Sequence, residues 1–167
     1  MKIVGNGAIA KAVSDAEAKD RLYFCSGVSN SSEVRESEYQ REIDLLMKQD
    51  KDSHLVYFSS LGVLGGTSRY YEHKRQVEAI VKTYFDKYTI VRLGNITWKN
   101  DNPHTLINSM KLRVKRGEKL EIRDEYRYLV DKDEFLYWVN LIPEWSCEIS
   151  IIGKRMKVRE VVKKYVL

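Results

Sequence analysis

Lys2-Ile3-Val4-Gly5-Asn6-Gly7-Ala8-Ile9-Ala10-Lys11-Ala12-Val13 is the stretch from which the rest of the chain can be read. Residues 2–4 are a short apolar run that suits a buried strand, and Gly5 closes it. The alanine-rich residues 8–18 have helical character. Gly5-Asn6-Gly7-Ala8-Ile9-Ala10 is therefore G-x-G-x-x-A between a strand and a helix. Gly5 permits the tight turn, Gly7 lets a pyrophosphate approach the backbone, and Ala10 lets the helix lie close to a sheet. The helix start offers free N–H groups and a positive dipole end to phosphate. The pattern points to a dinucleotide, although a glycine turn with no ligand would carry the same residues.

Downstream, the apolar segments alternate in type. Residues 22–25, 55–58, 89–93 and 149–152 are short apolar runs, most of them closed by Gly or Ser. Between them, residues 38–49 place Ile43, Leu46 and Met47 on one helical face, and residues 70–85 do the same with Val77, Ile80, Val81 and Tyr84. Residues 105–116 read as a helix with Leu106, Met110 and Val114 in line, stopped by Gly117. Residues 133–141 read as a helix ended before Pro143, and residues 158–166 as a last helix. Uniformly apolar runs separated by helices predict a parallel sheet covered on both faces, an α/β Rossmann-like doubly wound architecture. In such sheets ligands bind beyond the carboxyl ends of the strands. Gly5, Gly27, Ser60 and Gly94 should therefore emerge along one edge and enclose one cleft.

Length and composition narrow the function classes. The chain has 167 residues, 43% hydrophobic and 32% charged, which suits one domain spanning 1–167. No apolar run approaches the roughly 20 residues that cross a bilayer. The opening residues lack the pattern of a secretory signal. Two cysteines, Cys25 and Cys147, make no disulfide framework, and a cytoplasmic, reduced protein is expected. The net charge of +5 arises from 29 basic residues interspersed with 24 acidic ones, so a general polyanion binder is not expected. Lys111, Arg113, Lys115, Arg116 and Lys119 read as the solvated face of a helix, with no nucleic acid partner expected. His54, His73 and His104 show no metal spacing with the cysteines. Trp98, Trp138 and Trp145 suit a core or an interface.

Two further positions carry chemistry. Ser59-Ser60 closes a buried strand, and Tyr70 and Lys74 stand one helical turn apart. An ammonium near a phenol favours the phenolate, so such a tyrosine can donate or accept a proton near neutral pH. A packed Tyr with a surface Lys would look the same in isolation.

Taken in order, these residues resemble the short-chain dehydrogenases/reductases, and most closely the extended branch, the NAD-dependent epimerase/dehydratase family that acts on nucleotide sugars. Phe58-Ser59-Ser60-Leu61-Gly62-Val63-Leu64-Gly65 is similar to that family's F-S-S-x-x-V-Y-G. Ile90-Val91-Arg92-Leu93-Gly94-Asn95-Ile96 is similar to its LRLGNVYG strand and turn. Arg127-Tyr128-Leu129-Val130-Asp131-Lys132-Asp133 resembles its RDFIHVDD segment, and Ile152-Gly153 with Val158-Arg159-Glu160-Val161 resembles its NIGSG…SVREV end.

The resemblance implies a nucleotide-sugar epimerase, dehydratase or ketoreductase using NAD or NADP. Tyr70 would be the proton donor or acceptor. Lys74 would lower its pKa and hold the nicotinamide ribose. Ser60 would orient the reacting C–O group, with Ser59 as second candidate. Gly5, Asn6, Gly7, Ala8, Ile9 and Ala10 would line the pyrophosphate. Ser26, Gly27 and Val28 would lie beside the nicotinamide half, while Asn95 and Arg127 would meet substrate, Arg127 as a phosphate clamp. The substrate part would be reduced to about residues 95–167, and the family often forms a homodimer through the helix that carries Tyr70.

The departures bear on function. The family usually has two more strands between its first helix and the strand matching residues 22–25, so the sheet should lack strands 2 and 3. An acid that should hold the adenosine ribose after the second strand is not found, since Leu22-Tyr23-Phe24-Cys25-Ser26-Gly27 ends in small residues. Leu64 stands for the usual Tyr, and the helix at 38–49 shows no counterpart of the family's structural Asn. A competing expectation is a binding module on the same fold that has lost turnover.

Overall fold

In the computed structural model, which describes residues 1–18 and 20–167, the elements run β1 (Lys2–Val4), α1 (Ala8–Val13), β2 (Leu22–Phe24), α2 (Glu36–Met47), β3 (Leu55–Ser60), α3 (Arg69–Tyr84), β4 (Tyr88–Leu93), β5 (Asn95–Ile96), α4 (Leu106–Lys115), β6 (Tyr126–Val130), α5 (Lys132–Asn140), β7 (Cys147–Ile151), β8 (Lys154–Lys157) and α6 (Val158–Val161). Five of the strands form an all-parallel sheet in the order β1-β2-β3-β4-β7. The carboxyl ends of β1, β2, β3 and β4, which lead to Gly5, Gly27, Ser60 and Gly94, therefore lie on the same side of the sheet.

Strand periodicity splits the core in two. Tyr23, Val56, Phe58, Val91 and Leu93 face one layer, with Ala12 and Val13 of α1 and Phe135 and Val139 of α5. Leu22, Phe24, Leu55, Tyr57 and Ile90 face the other, with Leu46 of α2 and Val77 and Val81 of α3. Burial on both faces explains why these strands are apolar at successive positions rather than at alternate ones. The architecture is α/β and Rossmann-like, as the sequence predicts.

Among the described residues β1 pairs with β2 alone, so the sheet begins at β1. Residues 14–21 lead from α1 to β2, and among the described residues of that connection there is no strand. The two strands expected to be missing are absent from this sheet.

Several expectations need correction. α1 ends at Val13, not Ala18: the N–H groups of Asp15 and Ala16 bond three residues back, to Ala12 and Val13, and tighten the chain out of the α-helix. The last helix does cover residues 158–166 as expected, as one α turn, Val158–Val161, continued by a wider π-helical turn over Val162–Val166. The buried stripe of α2 is Tyr39, Glu42 and Leu46, while Met47 is exposed. The buried face is rotated away from Met47 because it includes the acid Glu42, which hydropathy does not count as buried. On α4 the buried residue is Ile107, and Val114 is exposed.

A second sheet, β5-β6-β8, has no counterpart in the sequence reading. β5 joins β6 in parallel and β8 joins β6 antiparallel. Its strands carry Tyr126, Tyr128, Lys154 and Arg155 towards solvent, so hydropathy alone does not mark them. Leu129 and Met156 form its small core with Ile107 and Val161.

Candidate active site

A cleft of about 690 Å³ opens at the carboxyl ends of β2, β3 and β4 and is roofed by the second sheet and α4. Gly27, Val28, Ser59, Ser60, Tyr70, Lys74, Asn95 and Arg127 all line it. These residues lie as much as 100 positions apart, and the parallel sheet brings them to one place.

Beneath the cleft lies a buried charged cluster. Lys74 is 2% exposed and Glu42 0%. Lys74 Nζ donates to Glu42 Oε1 at 3.1 Å and to the Tyr57 hydroxyl at 3.1 Å. Tyr57 in turn donates to Glu42 Oε1 at 2.8 Å. The Val28 N–H reaches Glu42 Oε2 at 2.7 Å, and His73 Nε2 lies 2.9 Å from the same oxygen, which places its proton on Nε2. Burial alone would raise the Glu42 pKa, but the Lys74 ammonium, His73 and the Val28 N–H outweigh it and hold the carboxyl well below its ordinary range. Burial likewise pulls Lys74 down, and Glu42 reverses the effect, so the ammonium stays charged. Gly27 is required here: a Cβ on it would stand 2.6 Å from Lys74 Nζ and 2.9 Å from Glu42 Oε1. Glu42 escaped the sequence reading. The available signal was an acid in line with Tyr39 and Leu46 on α2.

Tyr70 lies above this cluster, its ring centroid 5.7 Å from Lys74 Nζ. Burial is the largest influence on its phenol and raises the pKa. Lys74 opposes the rise, while the Glu42 charge adds to it, and the phenol ends above its ordinary value. The expected lowering by Lys74 is thus present but outweighed, and the resting side chain is neutral.

Ser60 and Tyr70 both line the cleft without a direct hydrogen bond between them. Ser60 Oγ accepts from the Gly62 N–H at 3.2 Å and caps the short 3-10 turn Leu61–Leu64. Its own proton remains available to a ligand. Ser59 Oγ is committed: it donates to Glu78 Oε1 at 2.6 Å, and Glu78 is clamped by Arg92 at 2.6 Å. Tyr71, not anticipated, also lines the cleft and packs edge-on against Tyr70 with ring centroids 5.2 Å apart. Its ring fills the space where Gly62 and Gly66 have no side chains.

The glycine turn behaves differently. Of residues 5–10, only Ile9 lines the cleft; Gly5, Asn6 and Gly7 are exposed beside it, Ala8 is half-buried and Ala10 is buried. Gly5 is dictated by the fold, with φ +116° and a Cβ position 2.8 Å from the Cys25 carbonyl carbon. Gly7 is not: its φ is −77°, and a Cβ would meet nothing within 4 Å. That open space over an uncapped helix start fits a phosphate group. Ser26 does not line the cleft; its carbonyl accepts from Arg41 at 3.3 Å. Gly27 and Val28 line the cleft where a nicotinamide would lie, whereas among the described residues the sheet offers no strand beyond β1 where an adenosine would lie.

On the opposite wall, Asn95 Nδ2 donates to the Tyr128 carbonyl at 3.2 Å. Arg127 is engaged by Glu125 at 2.8 Å and by the Tyr126 carbonyl at 3.0 Å. His104, Thr105, Ser109, Tyr126 and Tyr128 complete that wall and were not anticipated. Trp98 packs on Phe135 with ring centroids 5.3 Å apart, whereas Trp138 and Trp145 are exposed. The basic residues 111, 113, 115, 116 and 119 are exposed on and after α4. Among the described residues, no helix is long and apolar enough to cross a membrane.

Comparison with protein-family profiles and with curated proteins finds no match. Solved structures do match. MoeE5 in complex with UDP-glucose and NAD aligns with a TM-score of 0.67 at 17% identity, over 86% of this chain and 60% of that one. A dTDP-glucose 4,6-dehydratase from Bacillus anthracis in complex with NAD aligns at 0.65 and 16% identity, over 95% and 59%. The Bordetella bronchiseptica enzyme WbmG in complex with NAD and UDP aligns at 0.62 and 16% identity, over 86% and 54%. The chain spans little more than half the length of these enzymes. Its fold is that of the NAD-dependent epimerase/dehydratase enzymes, the extended short-chain dehydrogenase/reductase fold, in a shortened form.

Proposed function

We propose that the chain is a shortened NAD(P)-dependent epimerase, dehydratase or ketoreductase acting on a nucleotide sugar or related carbohydrate. The observation that carries this reading is the convergence of Ser60, Tyr70 and Lys74 with Gly27 and Val28 on one cleft. The NAD, UDP and UDP-glucose held by the structural neighbours support it. When bound, a nicotinamide supplies hydride transfer.

The chain's own residues handle the rest. The Ser60 hydroxyl, its oxygen already accepting from Gly62, donates to the reacting substrate oxygen. Tyr70, kept neutral by burial, gives its proton to that oxygen as negative charge develops there. The fixed Lys74 ammonium stabilises the phenolate left behind. Asn95 and Arg127 orient the substrate, and Arg127 exchanges Glu125 for a phosphate. About residues 95–167 supply this substrate side of a single domain.

Tyr70→Phe is expected to abolish turnover of a UDP- or dTDP-sugar and leave nicotinamide nucleotide affinity nearly unchanged. Lys74→Ala is expected to lower both. Steady-state kinetics and calorimetry on the two variants check this, and a Tyr70→Phe variant with full turnover overturns the assignment.

A second reading, a nucleotide- or sugar-binding module without turnover, is favoured by the sheet order, which among the described residues begins at β1 and leaves the adenosine end of a dinucleotide no strand to lie against. Ligand binding with no turnover under any nicotinamide nucleotide would establish it. A cytoplasmic homodimer through α3 belongs to the same proposal. The outward positions of that helix are Glu72, Arg75, Gln76, Ala79, Lys82, Thr83 and Tyr84, so the contact would be mainly polar with Tyr84 at its end; sedimentation velocity tests it.

A further inference from the structure

We propose that this chain seats only the nicotinamide mononucleotide half of a dinucleotide, so that nicotinamide mononucleotide serves it as well as NAD or NADP does. The inference rests on the reading of the cleft as a nicotinamide site. Three observations carry it.

The first is topological. A dinucleotide-binding sheet is built from two mononucleotide-binding halves that meet where the strand order reverses. Here, among the described residues, the order β1-β2-β3-β4-β7 runs in one direction from β1 without reversing, which is one such half. The second is the boundary of the cleft. It extends from Cys25, Gly27 and Val28 across β3 and β4 to the second sheet, and on the β1 side it stops at Ile9.

The third is the course of the chain where the other half would begin. The described residues between α1 and β2, 14–18 and 20–21, contain no strand. Ala16 is fully buried, and the Ala18 carbonyl accepts from the Tyr23 hydroxyl at 3.2 Å. The described part of this connection is thus drawn against the existing sheet rather than raised as a wall beyond it. A ligand gains affinity only from groups that bury surface or find polar partners, and here adenosine does neither.

The test is calorimetric titration of the chain with reduced nicotinamide mononucleotide, NADH and NADPH, followed by competition with 5′-AMP. The expected result is three dissociation constants within about threefold of one another, and no displacement by 5′-AMP. NADH or NADPH binding about tenfold or more tightly than the mononucleotide, or displacement by 5′-AMP, overturns the inference and leaves the nicotinamide reading standing. Binding of none of the three overturns the nicotinamide reading itself.

Discussion

At the scale of single residues, Glu42 is the feature on which the site depends. It accepts from Val28, Tyr57, His73 and Lys74 at once, in a position closed to water. Removing its charge strands the Lys74 ammonium in the interior. Breaking one partner of a buried ion pair costs about 3–5 kcal/mol, far more than the pair itself contributes over an apolar replacement. Glu42→Gln is therefore expected to lower stability by about that amount in chemical denaturation. The double variant Glu42→Leu with Lys74→Met is expected to recover much of the loss, since no charge is then left unpaired. Equal destabilisation of the two variants would show that the carboxylate's hydrogen bonds, not its charge, hold the cluster.

At the scale of elements, the turn joining β1 to α1 holds two glycines with different reasons to be glycine. Gly5 has φ +116° and abuts the Cys25 backbone, so a side chain there meets both backbone strain and a clash. Gly5→Ala is expected to cost roughly 1–3 kcal/mol or more. Gly7 has an ordinary φ and open space. In Gly7→Ala the gain from a stiffer unfolded chain and the loss of a favourable helix N-cap oppose each other, leaving stability within about 1 kcal/mol of the parent. Thermal melts of the two variants give the comparison. Equal losses would remove the case that Gly7 is kept open for something outside the protein.

At the scale of the whole molecule, two buried groups make the fold sensitive to acid over separate windows. His54 lies at the opposite end of the sheet from the cleft, its Nε2 2.9 Å from Thr89 Oγ1. Burial, followed by the nearby Arg21 charge, lowers its pKa to about 4. The unfolded chain binds that proton more readily, so full stability holds above the ordinary histidine pKa of about 6.5 and falls as pH drops towards 4. Glu42, depressed below its ordinary value, adds a further loss below about pH 4.5. His54→Gln is expected to flatten the upper window and leave the lower one. Denaturation midpoints measured from pH 7 to pH 3 would reveal this, and an unchanged slope between pH 6.5 and pH 4 would exclude His54 as its source.

What the sequence determined by itself is local and periodic. Short apolar runs ending at Gly5, Cys25, Ser60 and Leu93, with helical spacing between them, suffice for a covered parallel sheet, because period and turn chemistry act within a few residues. The same logic placed Ser60, Tyr70 and Lys74 at one cleft, since strand ends in a parallel sheet share a side. The tertiary structure alone decided the partners. Lys74 meets Glu42, 32 positions away, and the carboxylate rather than Tyr70 takes its hydrogen bond. Ser60 turns to Gly62 and Ser59 to Glu78. The second sheet pairs Arg127 with Met156, and its exposed strands carry no continuous apolar run to announce them. Which charge is buried beside which depends on how distant elements pack. That energy is set by desolvation and ion pairing within a few ångströms, and no sequence spacing records it.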